Sequence, residues 1–100
     1  AVLANGGKCI KTGKELIDKD IVRTTLALMS TSGMYEESGK YQMTIGFPLK
    51  SGVGGGIMGV VPGQFGICTY SPRLDPTGNS LRGGIVLEEL SKELGLSLFE

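Results

Sequence analysis

The chain has 100 residues, which is enough for one small domain or for part of a larger one. Ten basic residues balance ten acidic ones, and no apolar run approaches the length of a membrane helix, so we expect neither a nucleic-acid partner nor membrane contact. Two cysteines and no histidine leave few metal ligands, and we expect no metal and no cofactor. Free thiols in a reducing cytoplasm are the favoured interpretation of Cys9 and Cys68, with a disulfide as the alternative.

Helical patterns occupy the first third of the chain. The small apolar residues 1–4 are followed by Asn5-Gly6-Gly7, which predicts the last turn of a helix with its glycine cap. Residues 19–32 predict an amphipathic helix that begins after the N-cap Asp18 and ends at Gly33. Its apolar positions recur at helical spacing, at Val22, Leu26 and Met29.

Tyr35 follows the end of this helix directly, on a short tether after Met34. Two interpretations are open for it: an aromatic ring that covers the helix end, or an exposed hydroxyl that takes part in chemistry. Further along, apolar and polar residues alternate from Tyr41 to Ile45, which predicts a half-buried strand.

The segment 45–62 is the richest in glycine and allows several interpretations. A Walker phosphate loop is excluded, because Leu49 stands where that motif needs a glycine before the lysine. A dinucleotide loop is disfavoured, because the glycines lead into an apolar strand and Pro62 instead of a helix. Two interpretations remain: the Lys-Ser-Gly strand of serine acyl-transfer enzymes, at residues 50–52, and a glycine-rich strand packed closely on a helix.

The last third of the chain predicts a strand, a loop and a helix. The strand at 64–70 follows the short Pro62-Gly63 link, so it is expected to pair antiparallel with the preceding strand. In the loop at 74–80, we interpret Asp75 and Asn79 as structural residues that bond their own backbone. From residue 84 a helical face of leucines is expected, at Leu87, Leu90 and Leu94, with Gly95 as its cap, Leu96 in contact with it, and docked side chains at Leu98 and Phe99.

A longer pattern includes the Lys-Ser-Gly element. The run Gly46-Phe47-Pro48-Leu49-Lys50-Ser51-Gly52-Val53-x-Gly55-Gly56-Ile57 closely resembles the serine-dependent glutaminases, which are relatives of the β-lactamases and penicillin-binding proteins. The same family pattern recurs, in order, at residues 4–7, 33–35, 38–39 and 71–83.

The resemblance implies an α+β fold, with an antiparallel sheet flanked by helices, as in the C-terminal part of a β-lactamase/transpeptidase-like domain. It implies hydrolysis of L-glutamine to L-glutamate and ammonia through a serine acyl-enzyme, and a homo-oligomer, either dimer or tetramer. By resemblance, Tyr35, Lys50 and Ser51 are the catalytic candidates, and Tyr35, Gly52 and Val53 face the substrate. The Val53 N–H corresponds to an oxyanion donor, and a structural salt bridge remains the alternative role for Lys50.

The family nucleophile is a serine in a Ser-x-x-Lys motif, and no serine of this chain has lysine three positions on. We therefore expect residues 1–100 to correspond to the C-terminal third of a glutaminase domain, with the nucleophile upstream. Two alternatives stay open: a penicillin-recognising serine hydrolase, which shares the Lys-Ser-Gly element, and a truncated, non-catalytic oligomerisation piece.

Overall fold

The computed structural model describes residues 1–100. Its helices and strands are, in chain order, α1 (Lys19–Ser32), α2 (Ser38–Thr44), β1 (Leu49–Ser51), β2 (Gly56–Val61), β3 (Phe65–Tyr70) and α3 (Leu81–Leu94). A 3-10 turn at Tyr35–Glu37 joins α1 to α2. The predicted α+β class with one antiparallel sheet is confirmed, and no helix is long and apolar enough to cross a membrane.

The sheet has the order β1-β2-β3, with both strand pairs antiparallel. Lys50 lies opposite Met58, and Met58 lies opposite Cys68, so these three residues share one face. The β2–β3 turn passes through Gly63, whose φ of 76° is the left-handed conformation that glycine adopts without strain. The short link between antiparallel neighbours is therefore present as predicted.

The two faces of the sheet are covered by different helices. On the face that contains Ile57, strands pack against α2 and α3 in the main apolar core, whose buried members are Met34, Tyr41, Ile45, Phe47, Leu49, Ile57, Val61, Leu87 and Leu96. On the other face, Val60 packs with Met29 of α1 and with Ala4. The sheet is thus the middle layer, and the strand that carries Lys50 borders α1.

Helix α1 begins and ends where the sequence predicts. The Asp18 carboxylate accepts a hydrogen bond from the Asp20 N–H at 2.7 Å, which caps the first turn. At the other end, the Ser51 N–H donates to the Gly33 carbonyl at 2.9 Å, so β1 lies directly against the helix terminus. A Cβ on Gly33 would overlap the Leu49 carbonyl, which explains why glycine is needed there.

The predicted strand at Tyr41–Ile45 is wrong, because these residues belong to α2 and its C-cap. Alternation over only five residues also places the first and the last on one helical face. The structure uses that spacing: Tyr41 and Ile45 are buried in the core, while Met43 between them is 84% exposed. A five-residue pattern fits both the two-residue period of a strand and the ~3.6-residue period of a helix, so it cannot distinguish them.

Helix α3 begins earlier than predicted, at Leu81, because the Ser80 hydroxyl caps it by accepting from the Gly83 N–H at 3.1 Å. Its buried face also differs from the predicted leucine row. The core-facing residues are Gly83, Gly84, Leu87 and Ser91, whereas Leu94 is exposed. The left-handed cap at Gly95 and the buried Leu96 are confirmed.

The ends of the chain are tied to the body by main-chain bonds. The predicted helix end at residues 1–7 is a single turn, in which the Gly7 N–H donates to the Val2 carbonyl at 2.9 Å. The predicted docking of Leu98 and Phe99 is wrong for their side chains, which are exposed. Instead, the Leu98 N–H donates to the Gly46 carbonyl at 2.9 Å. Cys9 and Cys68 are free, so the disulfide alternative is not realised.

The corner between α2 and β1 is held by α3. The Ser91 hydroxyl is buried and donates to the Ile45 carbonyl at 2.5 Å. Together with the bond from Leu98 to Gly46, it fixes the chain just before Phe47-Pro48 leads into β1. The position of Lys50 therefore depends on contacts from the far end of the sequence.

Candidate active site

The tip of the β1–β2 hairpin, residues 52–55, consists almost entirely of main chain. The Gly52 N–H donates to the Gly56 carbonyl and the Gly55 N–H donates to the Gly52 carbonyl, both at 3.0 Å, which closes the turn. The N–H groups of Val53 and Gly54 have no acceptor within the chain. Val53 is 71% exposed, so the residue that carries this free donor lies at the surface.

The glycines of this tip serve two different needs. Gly55 has a φ of 105°, and a Cβ there would overlap the backbone of Ser71 and Pro72, so the fold itself requires glycine. A Cβ on Gly52 or Gly54 would meet no atom within 4 Å. The open space around the unpaired donors is therefore available to a ligand.

Tyr35 has a strained backbone. Its φ of 55° makes it the one non-glycine residue of the chain with a positive φ. Such a conformation costs about 1–3 kcal/mol and is found preferentially at functional sites. The neighbouring Met34 is buried, whereas Tyr35 is 40% exposed, so the strain places an aromatic hydroxyl near the surface.

Lys50 lies beside Tyr35. Its Nζ is 5.4 Å from the centroid of the Tyr35 ring, within the range of a cation–π contact, and it donates to the Ser51 carbonyl. Lys50 also borders an open cavity of about 230 Å³ along α1, together with Met29, Ser32 and Gly33. The ion pairs of the chain are Arg23–Asp20 and Lys40–Glu37, so a salt bridge does not occupy Lys50.

The Ser51 side chain points to the opposite face of the sheet from the Lys50 side chain. It is 2% exposed, and successive residues of a strand face opposite sides, so its hydroxyl lies on the core side while Lys50 faces α1. The buried Ser51 hydroxyl has no hydrogen-bond partner in the protein. The main-chain groups of Ser51, by contrast, contact both Lys50 and Gly33. The catalytic role predicted for the Ser51 hydroxyl stays a prediction.

One hydrogen bond brings the other candidates together. Tyr35 and Val53 each lie two residues beyond the bond between the Ser51 N–H and the Gly33 carbonyl. That bond joins the end of α1 to β1, so the tyrosine, the lysine and the hairpin tip lie around a single junction. An aromatic hydroxyl, an ammonium group and a free main-chain N–H can there bind and polarise a carbonyl compound.

The loop at residues 74–80 is structural, as predicted for Asp75 and Asn79, and it also contacts the site. Asp75 Oδ1 accepts from the Thr77 N–H, the Thr77 hydroxyl and the Asn79 N–H at 2.7–3.1 Å. Burial alone would raise the pKa of Asp75, but these hydrogen bonds lower it below its ordinary value. The Asn79 side chain reaches the carbonyl of Met34, a contact across 45 residues that no local sequence pattern shows.

The comparisons with known proteins identify the family. The sequence model of the glutaminase family matches residues 1–99. The chain belongs to the glutaminase family. Its relatives include glutaminases of Corynebacterium glutamicum, 51% identical over 98 residues, and of Shewanella baltica, 53% identical over 97 residues. These alignments cover 98% and 97% of this chain but only 24% and 32% of the two relatives, so the chain spans about a quarter to a third of their length.

Solved glutaminase structures have the same fold. One is a Bacillus subtilis glutaminase in covalent complex with 5-oxo-L-norleucine, formed by reaction with 6-diazo-5-oxo-L-norleucine. It is 44% identical to this chain and superposes with a TM-score of 0.93, covering 98% of this chain and 36% of its own. The probable glutaminase ybaS is 45% identical, with a TM-score of 0.92 over 100% of this chain and 32% of its own. The predicted family and its β-lactamase-like fold are confirmed.

Proposed function

We propose that this chain is the C-terminal portion of a glutaminase domain and forms one wall of its active site. The enzyme hydrolyses L-glutamine to L-glutamate and ammonia, and the upstream portion supplies the serine nucleophile. The observation that carries the proposal is the unpaired, exposed Val53 N–H, held at one junction with Tyr35 and Lys50. The chain itself contains no Ser-x-x-Lys motif.

The chemistry divides between the two portions. The upstream serine attacks the side-chain amide carbon of glutamine, ammonia leaves, and water then releases glutamate from the acyl-enzyme. The Val53 N–H donates to the oxygen that becomes negative at each tetrahedral stage, and one such donor contributes on the order of 3 kcal/mol. The Tyr35 hydroxyl passes a proton to or from the serine, and Lys50 keeps the edge of the site positive.

The donor role can be tested in the complete enzyme, which we define as these 100 residues joined to an upstream portion with Ser-x-x-Lys. That portion is either the chain's own or the one from Shewanella baltica glutaminase. Val53→Pro removes the N–H and breaks no hydrogen bond within the chain. We expect kcat for glutamine to fall roughly 10²–10³-fold, with an unchanged melting temperature.

Val53→Ala is the matched control, because it removes the exposed side chain and keeps the N–H. Its kcat should stay within about twofold of the parent enzyme, as for most surface substitutions. Equal kcat values for the proline and alanine variants would overturn the donor role.

By itself, the 100-residue chain is expected to release no ammonia from glutamine, since it lacks the nucleophile.

We further propose a homo-oligomer in a reducing cytoplasm. Both cysteines are free, which suits that compartment. Several apolar side chains on α1 and α3 face outward: Ile21, Leu28, Leu81, Ile85 and Val86. Size-exclusion chromatography with light scattering on the complete enzyme would give its mass, and a monomer would overturn the assembly.

The alternative function is tested separately. Nitrocefin hydrolysis by the complete enzyme would favour a penicillin-recognising serine hydrolase over a glutaminase.

A further inference from the structure

The positive φ of Tyr35 must be held in place by contacts with neighbouring groups. A non-glycine residue stays in the left-handed region only where neighbouring contacts leave it no other arrangement. The segment from Met34 to Ser38 is held by main-chain bonds of a 3-10 turn, such as the Glu37 N–H to the Met34 carbonyl at 3.2 Å, and also by side chains. The question is which side chains hold it.

Two side chains occupy the main-chain groups around the strained residue. The Ser38 hydroxyl accepts from the Met34 N–H at 3.0 Å and donates to the Tyr35 carbonyl at 2.8 Å. The Asn79 side-chain amide donates to the Met34 carbonyl at 3.0 Å. Ser38 is local and acts within one turn, so Asn79 is the side chain that ties this turn to the rest of the fold.

Asn79 is itself held rigidly. It is 0% exposed, its N–H donates to Asp75 Oδ1 at 3.1 Å, and its carbonyl accepts from the Asp75 N–H at 2.7 Å. The adjacent Gly78, with a φ of 99°, brings the same loop against the ring of Tyr35, where a Cβ would lie 3.6 Å from the nearest ring carbon. One loop thus bonds the backbone that precedes Tyr35 and passes close to its ring.

The buried amide of Asn79 is incompletely satisfied. Its Oδ1 receives no hydrogen bond from the protein, and an unpaired buried polar atom lowers stability. A residue kept only for packing would do better as an apolar side chain of the same size. The asparagine amide donates to the Thr77 hydroxyl at 3.3 Å within its own loop, and to the Met34 carbonyl, directly before the strained residue. The second bond is the one that reaches another element.

We propose that Asn79 is a positioning residue that aims the Tyr35 hydroxyl at the reacting serine. This inference rests on the proposed function, in which the hydroxyl handles the serine proton. Without the bond to the Met34 carbonyl, the turn relaxes toward an ordinary φ and the hydroxyl moves off its target. Asn79 touches neither substrate nor serine and acts only through Tyr35.

The test is a double-mutant cycle on kcat in the complete enzyme, corrected for the folded fraction. Asn79→Ala should lower kcat roughly 10- to 100-fold, the range for a catalytic group displaced by about 1 Å. In a Tyr35→Phe background, where no hydroxyl remains to position, the same change should lower kcat by less than about twofold. Asn79→Leu, which fills the same space without a donor, should give the same result if the alanine variant folds poorly.

Ser80→Ala is the matched control, because Ser80 is the next residue, is equally buried and caps α3 without touching the tyrosine segment. It should lower the melting temperature and leave kcat per folded molecule unchanged. If Asn79→Leu lowers kcat equally in the Tyr35 and Tyr35→Phe backgrounds, the positioning role is overturned while the proposed function stands. A Tyr35→Phe enzyme with full kcat would overturn the proposed role of the hydroxyl, and the positioning role with it.

Discussion

The hairpin tip at residues 52–55 and the turn around Tyr35 present functional groups in opposite ways. The tip leaves the N–H groups of Val53 and Gly54 unpaired in open space. In the tyrosine turn, the side chains of Ser38 and Asn79 bond the main-chain groups of Met34, and Tyr35 has a positive φ. The tip leaves its main-chain donors free, whereas the turn has its main-chain groups bonded by side chains. The two regions should therefore respond to mutation differently.

The largest effect that sharpens this comparison is expected from Tyr35→Phe in the complete enzyme. The ring keeps its contact with Lys50, so stability should change by about 1 kcal/mol or less. General acid–base groups contribute about 10²–10⁴-fold, and kcat should fall by that factor. Both kcat and the melting temperature are measured on one sample. A lower melting temperature with unchanged kcat per folded molecule would return Tyr35 to the role of a ring that covers the helix end.

The next largest effect is expected from valine substitutions in the hairpin tip, where Gly54 and Gly55 should behave differently. Gly54→Val adds a side chain to open space, so the fold should survive while kcat falls, by roughly 10²-fold if the substrate is displaced by about 1 Å. Gly55→Val meets the backbone of Pro72 at a φ that valine avoids, so it should impair folding first. Circular dichroism and kcat are compared for both variants. A folded Gly54→Val enzyme with wild-type kcat would show that no ligand occupies this space.

The smallest effect concerns the charge that holds the loop behind Tyr35. Asp75→Asn keeps an acceptor oxygen but loses the carboxylate whose pKa is lowered by hydrogen bonds from Thr77 and Asn79. Because the folded-state pKa of Asp75 is depressed, the carboxylate stabilises the fold fully above the ordinary pKa of an aspartate. That contribution disappears as the pH falls through the lower folded-state pKa. At pH 7 the loss should be less than about 1 kcal/mol, since solvent still screens a carboxylate that is only partly buried.

Thermal unfolding of the parent and Asp75→Asn enzymes between pH 7 and pH 3 checks this prediction. Their melting temperatures should differ slightly at neutral pH and converge in acid. A melting-temperature difference that stays constant from pH 7 to pH 3 would contradict the prediction, because a carboxylate with a depressed pKa must lose its contribution in acid.

Local signals in the sequence predicted much of this molecule. Asp18 and Gly33 delimit α1, and the Pro62-Gly63 link fixed β2 beside β3. The family pattern pointed to Tyr35, Lys50 and Val53, which the structure gathers around one junction. The failures have physical reasons. Tyr41–Ile45 is too short to distinguish strand from helix, and the Ser80 cap starts α3 at Leu81, earlier than predicted.

The contacts that hold the site could not be predicted, because they join distant residues. Nothing near Asn79 in the sequence indicates that its amide reaches Met34. The inward direction of the Ser51 hydroxyl follows from the register of β1, which depends on its pairing with β2. Such features require the tertiary structure, since they depend on which face of an element meets another.

The anchoring of the α2–β1 corner by Ser91 and Leu98 has a consequence for synthesis on the ribosome. The carbonyls of Ile45 and Gly46 find their donors 46 and 52 residues later. These two hydrogen bonds before the strand that carries Lys50 can therefore form only after residues 91–98 have left the exit tunnel. Contacts of such long range also form slowly. A nascent chain stalled before residue 91 would leave both carbonyls without these donors and would expose the apolar corner to the quality-control machinery.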